Sequence, residues 1–220
     1  MFGIEGYEPQ WHHSGRALAA AHRARFRKLI GQPLHDAWLM WDLDEDRWFA
    51  DGPVILGFPE CNVEITHRKF DECAITWDQV DMTIPLHWSG LRLDWRANAH
   101  PILAGVVGRK LGAVNIIERL MAARWRPTVL YAVELVFEDG EPAGREPAGQ
   151  PEAWEMAHIG PLAPPGPAGL TGAGDPSGAA LAAVPTGRRL TIFNALDENG
   201  LTDAAEVDLP VGQWQRVPVA

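Results

Sequence analysis

The sequence predicts an α+β fold: a mostly antiparallel sheet built from two helix-plus-strands repeats, with one long flexible Gly/Pro/Ala insertion. Three observations predict it. Short runs rich in β-branched and aromatic residues recur between turn residues, the pattern of short antiparallel strands. Each series of runs follows a helical segment that ends in glycine, Gly31 in the first and Gly108 in the second. Residues 139–187 hold nine of the eighteen prolines and ten of the twenty-two glycines. Such a stretch buries too little apolar surface to offset its ordering entropy.

The elements follow in order. Residues 1–14 read as an N-terminal arm. Ser14 is suited to cap a helix over 15–30, where Leu18, Phe26, Leu29 and Ile30 recur at helical spacing and Gly31 supplies the C′ position. Residues 34–41, 54–58, 62–67 and 74–77 read as strands, with turn chemistry at Asp42–Asp46 and Asp51-Gly52-Pro53. In the third of these, Val63 and Ile65 alternate with Glu64 and Thr66, as in a half-buried strand. These elements make a first repeat over 15–99.

A second repeat over 100–220 restates the order. Pro101 opens a short helix through Val107, and residues 111–118, 129–137 and 189–194 read as strands. Ile30-Gly31-Gln32-Pro33-Leu34 aligns with Val107-Gly108-Arg109-Lys110-Leu111, and Val63-Glu64-Ile65 with Leu190-Thr191-Ile192. The insertion 139–187 interrupts this repeat between its second and third strands.

Charge and composition exclude several classes. The 220 residues carry a formal charge of −10, which argues against nucleic acid as a partner, since phosphate contacts need Lys and Arg. Only residues 1–30 run the other way, with Arg16, Arg23, Arg25, Arg27 and Lys28 against Glu5 and Glu8. No apolar stretch approaches the roughly 20 residues of a membrane-spanning helix. The N-terminus has no basic-then-apolar leader, and Cys61 and Cys73 make no disulfide framework. A cytoplasmic protein with free thiols and no cofactor is the expectation.

The common catalytic signatures are absent. Three serines, Ser14, Ser89 and Ser177, include none in a nucleophile elbow, and there is no P-loop, HExxH or CxxC. Asp42-x-Asp44-x-Asp46 begins like a calcium loop, but Arg47 stands where its glycine belongs and Pro53 where its bidentate glutamate belongs. It reads as a solvated acidic turn.

The strongest chemical candidates lie at strand ends. His67 with Asp71 or Glu72 has the residue types of an imidazole–carboxylate pair for proton transfer or a metal. Asn194, Asp197 and Glu198 are their counterparts in the second repeat, and the two sets are expected to line one cleft if the repeats are related by a twofold axis. Asx turns and strand capping account for the same residues without a ligand. No metal site is assigned. Ten tryptophans against two tyrosines favour a binding role, because tryptophan anchors interfaces and pockets. Trp48, Trp88, Trp125 and Trp154 fall in turns or loops and are the candidate anchors.

Trp48-Phe49-Ala50-Asp51-Gly52-Pro53, Lys69-Phe70-Asp71-Glu72 and Asn194-Ala195-Leu196-Asp197-Glu198-Asn199-Gly200 resemble a family of uncharacterised bacterial proteins, over roughly 29–140 and 188–202. That resemblance implies a domain used as a unit and no activity. The expected function is a non-catalytic binding protein whose partner is another protein, most concretely an immunity-type protein that neutralises a basic partner. The alternatives are a metal-dependent hydrolase or lyase, or a small-ligand binder, centred on His67, Asp71 and Glu72.

Overall fold

Helix α1 (Gly15–Leu29) begins where the Ser14 hydroxyl accepts the Ala17 N–H, and its last turn carries Arg27 and Lys28. It buries Leu18, Phe26 and Leu29 and leaves its arginines outward. The computed structural model describes residues 1–69, 71–88, 90–120, 128–139, 187–195, 199–203 and 213–220. All belong to one compact unit, Met1–Gly144 with Pro185–Ala220. The expected insertion therefore lies almost wholly outside the described residues. No described helix is long and apolar enough to cross a membrane.

After α1 come β1 (Asp36–Asp42), β2 (Arg47–Trp48), β3 (Val54–Gly57), β4 (Asn62–Arg68), β5 (Glu72–Trp77) and β6 (Leu93–Ala97). Helix α2 (Pro101–Ala104) precedes β7 (Leu111–Leu120), β8 (Thr128–Phe137), β9 (Arg188–Asn194), β10 (Asn199–Thr202) and β11 (Gln213–Pro218). The sequence reading did not find β2, β6, β10 or β11, and it ran α2 three residues too far. His100 caps this single turn, its ring accepting the Ile102 N–H, and the helix ends at Gly105, whose N–H donates to Pro101 O.

The strands form two antiparallel sheets where one was expected. The first has the order β2-β1-β3-β4-β5, with β6 on the other side of β1; the second has the order β10-β9-β8-β7-β11. Their registers correspond. Trp38 pairs with Ile55 and Ala97, and Asn115 pairs with Glu134 and Pro218. Ile55 faces Glu64 as Glu134 faces Thr191. His67 faces Cys73 as Asn194 faces Asn199. Only β2 has no counterpart.

The segments that enter the two sheets cross each other. Gly31 N–H donates to Leu111 O and Gly108 N–H to Leu34 O, both at 2.7 Å; Leu34 donates to Arg109 and Leu111 to Gln32, both at 2.9 Å. Each bond maps onto its partner when the two segments are exchanged, as across a local twofold axis. Both glycines sit at φ +81, the left-handed geometry that an L side chain resists. The segments around Gly31 and Gly108 are thus where the two halves of the chain cross.

One core lies between the sheets. Leu39, Leu56, Val63 and Ile65 of the first sheet pack with Val114, Ile116, Val133 and Ile192 of the second, and with Leu18 and Phe26 of α1. A second cluster covers the outer face of the first sheet, where Phe2, Ile4 and Tyr7 pack on Met40, Ile55 and Val80. Residues 1–14 are therefore part of the packing and no free arm. Below this cover, Glu64 is fully buried, and one carboxylate oxygen accepts the Gln79 and Val80 N–H groups at 3.0 and 3.3 Å.

Candidate functional site

His67 does not meet Asp71 or Glu72. Alternation along β4 turns Val63, Ile65 and His67 to the core side and Glu64, Thr66 and Arg68 to the other. Glu72, facing Arg68 across the β4–β5 pair, shares that other side. His67 is completely buried, and its partner is Asn199 of the second sheet. Asn199 Nδ2 donates to Ala50 O and Gly52 O at 3.1 and 2.8 Å. Its Oδ1 accepts the His67 backbone N–H at 3.1 Å and lies 3.0 Å from Nδ1, which assigns the ring proton to Nδ1. Nε2 is left buried with no partner among the described residues. Burial drives the pKa down to about 4, against a small upward pull from Asn199. A neutral imidazole sealed at the junction of two sheets has no access to substrate.

The imidazole–carboxylate contact that the sequence assigned to His67 is made by His13. Its ring nitrogens lie 3.6 Å from Asp71 and 3.6 Å from Glu72. Glu72 is also paired with Arg68 and with Lys69 at 2.9 Å. Burial pushes the Glu72 carboxyl up, but these two cations outweigh it and hold it below the usual carboxylate range. Arg68 in turn lies over the Trp11 ring at 4.1 Å. The cluster is saturated with its own partners, which suits a structural clasp between the segment before α1 and the β4–β5 turn.

Asn194 is buried and donates to Lys69 O, so it too ties the sheets together. Asp197 and Glu198 lie outside the described residues. The shared cleft expected of these residues is instead a packed junction around His67, Asn194 and Asn199. The acidic turn is internally neutralised: Asp44 pairs with Arg92 at 3.0 Å, Asp46 with Arg96 at 2.8 Å and Glu45 with Arg47 at 2.7 Å. Among the described residues no group of three His, Cys, Asp or Glu side chains is placed to hold a metal.

The tryptophan anchors are largely spent on packing. Trp48 packs half-buried against the core, with its ring 6.1 Å from that of His100. Trp88 stacks on Phe2 at 5.7 Å and leans on Phe49 at 5.9 Å. Trp125 and Trp154 lie outside the described residues.

Among the described residues, two pockets each lie between a helical segment and the start of a strand. One, of about 410 Å³, opens between α2, the start of β9 and Asp203. The other, of about 180 Å³, opens between the end of α1, the residues entering β4 and Trp77. In the sequence alignment around Gly31 and Gly108, Ile102, Gly105 and Val106 fall opposite Arg25, Lys28 and Leu29, although Gly105 and Val106 lie past the end of α2. Gly187 and Arg188 replace Glu60 and Cys61, and Asp203 replaces Trp77. Cys61 is no poised nucleophile, because burial and then Asp78 push its thiol up. Sequence reasoning missed both pockets. The signal was present in the aligned phrases around Gly31 and Gly108, which fix the helix ends, but nothing local marks Asp203 or Arg188.

No family model, no curated protein and no solved structure matches this chain. The phrases that resemble a bacterial family therefore add no activity to the geometry.

Proposed function

We propose that this protein is a non-catalytic binding protein, made of two copies of one helix-plus-strands unit with a small-ligand pocket at the same place in each. The observation that carries this reading is the coincidence of the pockets. Two cavities between the same three elements of two sheets are hard to obtain unless the pocket belongs to the unit itself. Concave sites with an apolar wall and a few polar groups are the usual form of small-ligand sites.

The metal-dependent hydrolase or lyase alternative leans on His67, and a sealed, asparagine-bound imidazole gives it little support. A protein partner remains the other form of the binding reading. Its immunity-type version needs free carboxylates for a basic surface, and the acidic turn at 42–46 spends three of its carboxylates on Arg47, Arg92 and Arg96. Small-ligand binding is the version with geometry behind it.

The test is incubation of the purified protein with a metabolite extract, followed by mass spectrometry of the retained and free fractions. A ligand retained unchanged is expected. Consumption of a metabolite with appearance of a product would replace binding by catalysis, and retention of nothing would remove the small-ligand reading.

A further inference from the structure

We infer that the larger pocket binds a small zwitterion, a free α-amino acid with an apolar side chain. The inference rests on the binding reading above and names the ligand class. Three features of the pocket carry it. Pro101, Ile102 and Val106 give it an apolar wall. Arg188 and Asp203 bring opposite charges to its rim, and among the described residues neither side chain has a hydrogen-bond or ion-pair partner. The neighbouring cations are engaged: Arg189 holds Glu134 at 2.7 Å, and Arg109 donates to Gly105 O at 3.0 Å. Arg188 is therefore the guanidinium left for a ligand.

The chemistry of those two groups selects the ligand. A guanidinium presents paired N–H donors that match a carboxylate, and a carboxylate accepts from an ammonium. A simple anion would gain Arg188 and be repelled by Asp203; a simple cation would meet the reverse. Only a molecule carrying both charges on a short frame satisfies both, and its apolar remainder then lies against Ile102 and Val106. The volume of about 410 Å³ is within the usual range for small-molecule sites. Because Arg188 and Asp203 are exposed, water screens both contacts and the affinity is modest.

The other pocket is smaller and differently lined. Its volume is about 180 Å³, with Trp77 at the Asp203 position and Lys28 at the Gly105 position. Two of its charges are used within the fold, since Arg25 lies over the Trp77 ring at 5.3 Å and Asp78 accepts the Asn62 N–H at 2.7 Å, while Lys28 and Glu60 also line it. Gly105 borders the larger pocket beside Arg188. A Cβ there would stand 3.4 Å from Arg188 Nη1, so a longer side chain enters the space over the arginine.

The experiment is an NMR titration of the whole protein with L-leucine, 4-methylpentanoate and 3-methylbutylamine, which keep both charges, the carboxylate only and the ammonium only. Saturable shifts confined to Ile102, Gly105, Arg188 and Asp203 are expected with leucine. Each single-charge analogue should bind about tenfold more weakly, as for loss of one charged hydrogen bond. Arg188→Gln and Asp203→Asn should each weaken leucine by about the same factor with Tm unchanged, and Gly105→Leu should abolish binding in protein that its NMR spectrum shows to be folded. Absence of saturable shifts up to the solubility of leucine overturns the inference. So does equal binding of 4-methylpentanoate, or wild-type affinity in the three variants. If the protein retains some other metabolite unchanged while leucine fails, only the ligand class falls and the binding reading stands.

Discussion

Protonation of two buried side chains sets the acid and neutral limits of stability. His67 has a pKa of about 4 in the fold against 6.5 for the free side chain. Above 6.5 the ring is neutral in both states and contributes nothing to pH dependence. As pH falls from 6.5 to 4 the unfolded chain takes up a proton that the folded chain refuses, and stability falls by about 3 kcal/mol in all. His22, also lowered to about 4 by burial first and then by His12 and Arg25, adds to the same window. Urea unfolding of His67→Gln between pH 4 and 7 should show a clearly shallower slope than wild type; an unchanged slope would mean that His67 does not titrate in the unfolded chain alone. Glu64 acts in the opposite sense. Burial raises its pKa despite hydrogen bonds from Thr76, Val80 and Gln79, so the folded state is weakened as pH rises through that raised value. Glu64→Gln should raise the urea midpoint at pH 7 and lose the advantage below about pH 4, where the carboxyl is protonated in both states. Asn199 is the residue whose loss should cost most. Its side chain satisfies the His67 N–H and ring and the Ala50 and Gly52 carbonyls, so Asn199→Ala should destabilise by about 3 kcal/mol or more through the buried groups it orphans.

Two glycines separate backbone strain from lack of space. Gly31 ends α1 at φ +81 with nothing within 4 Å of a built Cβ. Gly31→Ala should therefore cost only the left-handed penalty, about 1 kcal/mol, and Gly31→Asn less. Gly187 enters β9 at φ +156, and a Cβ there would lie 2.2 Å from Phe137 O on β8. That carbonyl belongs to a paired strand and cannot retreat without breaking the β8–β9 register. Gly187→Ala should be several times more damaging than Gly31→Ala, measured side by side by thermal melting; equal effects would mean that the start of β9 is free to shift. The strands themselves were readable because β-branched runs alternate with turn residues. β2, β6, β10 and β11 were not, because Arg47–Trp48, Leu93–Ala97, Asn199–Thr202 and Gln213–Pro218 have no run of β-branched residues and are extended where they pair with β1, β9 and β7. Helix α2 was overrun for a related reason. Val106 and Val107 have the apolar spacing of a helix, but Val106 is drawn into the core and Gly108 into the crossing with Leu34.

The two sheets stand or fall together. Leu39, Leu56 and Ile65 face residues such as Val133, Leu135 and Ile192 across one core, and α1 lies against that same core. A fragment of residues 1–99 would expose this face to water, at roughly 25 cal/mol for each Å² uncovered. It should be unfolded or aggregated when produced alone, whereas the whole chain should unfold in one transition by far- and near-ultraviolet circular dichroism. A folded, monomeric 1–99 fragment would show that the first sheet carries its own core.

By itself the sequence determined most of the extended segments and where α1 stops. Those properties are local: β-branched runs, Ser14 and Gly31. The tertiary structure alone decided that the strands divide into two sheets, that Gly31 and Gly108 cross at a common point, and that His67 answers to Asn199 instead of Asp71 or Glu72. It also decided the pockets. Arg188 and Asp203 are brought to one rim only by the β9–β10 pairing, and no spacing along the chain encodes a partner across a sheet. Side-chain partners far apart in sequence are chosen by register and by which face turns inward, and both are fixed only when the strands have paired.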